Sequence, residues 1–73
     1  MTLTAEEWIA SYAVALGRPA PTQDEIDAVL TLAAVAAHAS ERRAAPLACW
    51  LAALAGLAPE DAVEHAQALA GDG

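Results

Sequence analysis

The chain has 73 residues, a net charge of −7, three residues of the lysine and arginine type and ten of the aspartate and glutamate type. A chain of this length forms one domain over residues 1–73 and buries only about 60% of its unfolded surface, so a lone monomer is expected to be marginally stable. The acidic balance excludes nucleic acid and anionic membrane surfaces as partners, because both bind basic protein faces.

The amino-acid composition favours an all-α fold. Hydrophobic residues make up 58% of the chain, 22 residues are alanine, and phenylalanine is absent. Alanine is the best helix former but fills little core volume, so helices rich in it must pack closely. The sequence therefore predicts a compact four-helix bundle-like domain, with helices at about 5–16, 23–40, 46–56 and 59–70.

The first two helices begin at capping boxes. Thr4 and Glu7 are three residues apart, as are Thr22 and Glu25, and each pair can satisfy two free backbone N–H groups at a helix start. Gly17 is predicted to end the first helix in a left-handed conformation, and the prolines that follow it prevent the helix from restarting.

The third and fourth helices are delimited by proline and glycine. Pro46 and Pro59 are each predicted at a first helical position, where the missing N–H costs no hydrogen bond. Gly56 is predicted to end the third helix. Residues 71–73 are expected to form a frayed tail after the fourth.

The third predicted helix is apolar on all sides. From Leu47 to Leu57 its only polar groups are the Trp50 indole nitrogen and the Cys49 thiol. A helix of this kind must be buried on all sides. Either the other three helices cover it completely, or one of its faces lies in a homodimer or in the interface with a helical partner. The candidate interface residues are Trp50, Leu51, Leu54 and Leu57.

The junction before the third helix concentrates the positive charge of the chain. His38 lies four residues before Arg42 and shares its helical face if the second helix continues that far, and Arg43 follows directly. One interpretation is structural, since cations complement the negative end of a helix. The other is a small-anion site, in which these three side chains and the N–H groups at the start of the third helix bind a phosphate or carboxylate.

Other chemistry finds little support in the sequence. No serine, cysteine or second carboxylate is spaced to form a nucleophile with a base, so we expect no enzyme and no cofactor. The lone cysteine has no partner for an internal disulfide, and no Cys/His spacing indicates a metal site. The apolar segment before Pro59 is too short to span a membrane, and the start MTLTAEEW is not typical of a signal peptide. The sequence therefore predicts a cytoplasmic protein.

The junction also carries a family resemblance. Ala37-His38, Arg42 and Ala44-Ala45-Pro46-Leu47, together with a tryptophan in the first helix, resemble an uncharacterised family of small helical domains from high-GC bacteria. Arg43 departs from the family pattern, in which proline is usual at that place. The family occurs alone or appended to molybdenum cofactor guanylyltransferase-like proteins.

The resemblance implies an association with molybdopterin-guanine dinucleotide biosynthesis. The expected function is a non-catalytic accessory or protein-interaction module, whose partner is a second copy or a helical protein such as a molybdenum cofactor guanylyltransferase. The alternative is a nucleotide or pterin phosphate binder that uses the junction.

Overall fold

Four α-helices build the domain in a computed structural model, which describes residues 2–71. The described residues contain no β-strand, so the predicted all-α, four-helix bundle-like fold is confirmed. Asp72 and Gly73, which belong to the predicted frayed tail, lie outside the described residues. The helices are α1 (Ala5–Ala15), α2 (Gln23–Ala39), α3 (Ala44–Leu54) and α4 (Pro59–Leu69).

The capping boxes of α1 and α2 are both formed. The Glu7 backbone N–H donates to Thr4 Oγ1 over 3.1 Å, and the Thr4 N–H donates to Glu7 Oε1 over 2.8 Å. Thr22 and Glu25 repeat the arrangement with the same two distances. Each box satisfies two backbone donors that a helix start would otherwise leave unpaired, so the predicted starts of α1 and α2 are confirmed.

Glycines end α1 and α3 by the same mechanism. Gly17 has φ of 71° and Gly56 has φ of 75°, a region that residues with a side chain rarely adopt. The left-handed glycine lets the Arg18 N–H donate to the carbonyl of Ala13, the first residue of the six-residue segment that the bond closes. The Leu57 N–H donates to the Ala52 carbonyl in the same way. These are Schellman caps, which satisfy the last carbonyls of a helix.

The start of α3 differs by two residues from the predicted position at Pro46. The Ala44 N–H donates to the Glu41 carbonyl over 2.9 Å, and the Ala45 N–H donates to the Arg42 carbonyl over 3.1 Å. This tight turn already directs the chain into the helix. Pro46 is therefore the third helical residue, and its missing N–H costs nothing because the Arg42 carbonyl already has a donor.

The packing centres on α2. This helix packs against both α3 and α4, whereas α1 makes few contacts with the other helices. Few side chains are fully covered: the most buried are Leu32 of α2, at 4% exposure, and Ala62 of α4, at 2%. The domain measures 41 × 27 × 18 Å, so its shortest dimension is about two helix diameters.

Candidate functional site

The side of α3 that approaches α2 carries small residues. Ala45, Ala48, Cys49 and Ala52 recur at helical spacing and are all half-buried. Because these side chains are short, α3 can approach α2 closely without a large hydrophobic core between them. The large apolar side chains of α3 must therefore lie on the sides of the helix that do not face α2.

The opposite side of α3 carries the large apolar residues. They follow an i, i+3, i+4, i+7 spacing, which places them in one stripe along the helix. We call this stripe the α3 apolar face; each of its side chains is between 58% and 63% exposed, and no residue from 44 to 59 is charged. Its members are Leu47, Trp50, Leu51 and Leu54.

The exposure of this stripe bears on one of the two interpretations of an all-apolar helix. In the single chain the other three helices do not cover α3 on all sides. Leu57, the fourth residue of the predicted interface, is placed differently from the other three. It is half-buried and lines two clefts together with the buried Leu32.

A groove adjoins the α3 apolar face. It has a volume of about 500 Å³ and is bounded by the C-terminal halves of α2 and α4 and by α3. Leu47 and Leu51 belong to both the face and the groove, so the two form one continuous apolar surface. We call this concavity the α3–α4 groove; its lining includes Val35, Ala48, Leu51, Ala66 and Leu69.

The three residues of the predicted anion site are exposed. α2 ends at Ala39, and Ser40 has φ of −134° and ψ of −98°, so Arg42 does not continue the helical face of His38. Arg43 Nε lies 3.4 Å from Glu41 Oε1, in an exposed ion pair of the kind that contributes at most about 1 kcal/mol. Within residues 2–71, the His38 and Arg42 side chains make no hydrogen bond or salt bridge.

Comparison with known proteins gives the family. A family described as Domain of unknown function (DUF6457) matches residues 2–72. The chain belongs to this family. The match covers nearly the whole chain, so the prediction of an uncharacterised family of small domains is confirmed. No curated protein and no solved structure matches the chain.

Arg42 provides a direct test of the junction in this DUF6457 domain. Because its side chain is exposed and unpaired within the described part of the chain, Arg42→Ala is expected to change the free energy of unfolding by less than about 0.5 kcal/mol. We expect no shift of the thermal midpoint on adding inorganic phosphate or GTP, to the wild type or to the variant. Arg18→Ala serves as the control for loss of one positive charge.

The opposite result would support the anion-site alternative. A ligand present at 100 times its dissociation constant stabilises the folded state by about 2.7 kcal/mol. In a domain of this size that is about 10 °C or more in the thermal midpoint. Such a shift, lost in Arg42→Ala and kept in Arg18→Ala, would make the junction of the DUF6457 domain a binding site.

Cys49 lies on the inner side of α3. Its thiol donates to the Val29 carbonyl of α2 at 3.9 Å, a long contact of the kind that sulfur makes. Burial raises the pKa of the Cys49 thiol, because the apolar surroundings disfavour the thiolate. The group is therefore protonated at neutral pH and is a packing side chain, not an activated nucleophile.

The sequence-based prediction of the interface did not include two residues of the exposed apolar surface, Leu47 and Leu69. Leu47 was available from the sequence, since it begins the same helical stripe that Trp50, Leu51 and Leu54 continue. Leu69 is 91% exposed at the end of α4 and borders the groove. The periodicity of α4 alone places Leu69 on the inner stripe, so only the relative placement of α3 and α4 shows its exposure.

Two aromatic side chains stack on α1. The rings of Trp8 and Tyr12 stack with their centroids 5.2 Å apart, and both side chains are about half exposed. This spacing is the usual i, i+4 neighbour relation on a helix surface.

Over residues 2–71, none of the helices of the DUF6457 domain has the length and hydropathy needed to cross a bilayer.

Proposed function

We propose that this DUF6457 domain is a non-catalytic accessory module that binds another protein through the α3 apolar face. The observation that carries the proposal is the inversion of α3. Four of its five alanines are half-buried, whereas its leucines and tryptophan are exposed, with no charge among them. A helix that served only the internal core would have the reverse arrangement.

The chemistry of the face suits a protein partner. Exposed apolar patches on monomers are small, and larger ones mark interaction sites. Tryptophan is enriched among the residues that contribute most to interface affinity, and the centre of an interface is depleted of charged residues. Trp50 lies in the middle of the face, between Leu47 and Leu54, so it is the expected anchor.

The biological setting comes from the family resemblance of the junction. Relatives occur as appendages of molybdenum cofactor guanylyltransferase-like proteins, which supports a role beside molybdopterin-guanine dinucleotide biosynthesis in the cytoplasm. The module would supply binding and positioning, and the chemistry would belong to its partner. The candidate partners are a second copy of the chain and the guanylyltransferase.

Leu54→Asp is the variant that tests this function. It places a charge in the α3 apolar face, where desolvating the carboxylate opposes binding. Leu30→Asp is the matched control, because Leu30 of α2 has the same 63% exposure as Leu54 and lies outside that face. The readouts are light scattering for self-association and calorimetric titration with the purified guanylyltransferase, with circular dichroism to confirm equal helicity.

We expect Leu54→Asp to weaken association by about 30-fold or more, because the carboxylate would be desolvated within an apolar interface. Leu30→Asp should bind like the wild type. The proposed function fails if the wild type associates neither with itself nor with the enzyme, or if both variants lose binding equally. The anion-binding alternative stays a prediction, and the melts of Arg42→Ala test it separately.

A further inference from the structure

We infer that a second copy of this chain occupies the α3 apolar face and the α3–α4 groove, with the two copies related by a twofold axis. In this arrangement Trp50 of each copy inserts into the groove of the other. The inference rests on the proposed function, because it uses the same binding surface and names the partner.

The exposed area of the chain is the first argument. The single chain exposes 5629 Å², whereas a folded monomer of 7.4 kDa typically exposes about 4,200 Å². The excess is about 1,400 Å². A stable interface of standard size buries about 800 Å² on each partner, and obligate homodimers bury more. The surplus of the whole chain, to which the sparsely packed α1 also contributes, exceeds the area that a standard interface buries on one copy.

The shape of the surface is the second argument. A twofold interface brings the same patch of both copies together, so that patch must contain both a projection and a hole that accepts it. Trp50 is the projection, at 61% exposure. The groove of about 500 Å³ is the hole, and its lining side chains are apolar except for Ser40. Leu51 lies between the two features and makes them neighbours on one surface.

The charge distribution is the third argument. Two copies with a net charge of −7 repel each other, so their contact must keep acidic groups apart. Residues 44–59 carry no charge, and no charged residue lines the groove. Six of the acidic residues lie instead in the first turns of α1, α2 and α4. An uncharged surface on an acidic chain suits a second copy better than a basic partner, which the acidic surfaces would attract elsewhere.

This distribution gives the dimer a characteristic salt dependence. Salt screens the repulsion between two acidic copies, since the Debye length falls from about 10 Å at 0.1 M to about 3 Å at 1 M ionic strength. Added sodium chloride should therefore strengthen self-association. Association driven by ion pairs, for example through the arginines of the junction, would weaken under the same conditions.

The mass of the full chain in solution tests the inference. Sedimentation equilibrium is measured from about 1 to about 200 µM, and we expect twice the 7.4 kDa of one chain over most of that range. Trp50→Ala should raise the dissociation constant about 30-fold or more. Trp8→Ala is the control, because Trp8 is a half-exposed tryptophan on α1, and it should stay within about twofold of the wild type.

A second measurement keeps the test independent of the folding of Trp50→Ala. In a Trp8→Phe background, Trp50 is the only tryptophan of the chain, and its emission should shift to longer wavelength on dilution as the dimer separates. A monomer mass at about 200 µM, or equal weakening by Trp8→Ala and Trp50→Ala, overturns the inference. A monomer that binds the guanylyltransferase through Leu54 would leave the proposed function standing and remove the second copy alone.

Discussion

Leu32→Ala is expected to lower the free energy of unfolding by about 2–5 kcal/mol, the range for a leucine truncated in a packed core. Leu32 is the most buried of the large side chains, and it lines cavities on both the α3 side and the α4 side of α2. Its loss would loosen both helix pairs at once. In a domain of this size each kcal/mol lost lowers the thermal midpoint by about 4–8 °C, so the variant should melt about 10 °C or more below the wild type. This loss is a large share of the total stability of a small domain, which is about 5–15 kcal/mol.

Leu30→Ala is the matched control for this variant. Leu30 lies two residues away on the same helix and is 63% exposed, so its truncation removes the same atoms from a surface position. We expect a loss below about 1 kcal/mol. Thermal melts by circular dichroism, at equal protein concentration, provide the comparison. Equal losses in the two variants would show that α2 does not present Leu32 as the centre of the core.

Ala62→Leu is expected to destabilise the domain by about 1–3 kcal/mol, the usual cost of enlarging a side chain at a buried position. Ala62 is 2% exposed and is the buried residue of α4, which packs directly on α2. A larger side chain must push the two helices apart or adopt a strained rotamer. The small size of Ala62 is therefore a requirement of the helix pair and not only a consequence of composition.

Ala68→Leu separates this effect from helix propensity. Ala68 belongs to the same helix but is exposed, and leucine is nearly as good a helix former as alanine. We expect a change within about 0.5 kcal/mol, measured by urea unfolding of both variants. If Ala62→Leu is as stable as Ala68→Leu, α4 does not approach α2 as closely as the structure shows.

The helix boundaries were the most predictable part of the fold, because local sequence determines them. Thr22 with Glu25 starts α2, and Gly56 ends α3, through contacts within a few residues. The start of α3 was predicted two residues late. It depends on backbone hydrogen bonds in the turn at Glu41 and Arg42, which no residue type signals in advance.

The candidate surface was predictable only in part. Periodicity identifies a helical face when apolar residues alternate with polar ones, but α3 is apolar on both sides. Side-chain size decides its orientation, since Ala48 and Ala52 permit the close approach to α2 that leucines would block. The expected pairing of His38 with Arg42 depended on α2 continuing past Ala39, which it does not.

The sparse contacts of α1 with the other helices divide the backbone into two classes of amide proton. Those in α1 can exchange with solvent by local opening of that helix alone, because little tertiary packing is lost when it opens. The amide protons of α2 can exchange only when α3 or α4 separates from that helix. Hydrogen–deuterium exchange would therefore follow two time courses within a chain of 73 residues, and only the slower one would report global unfolding.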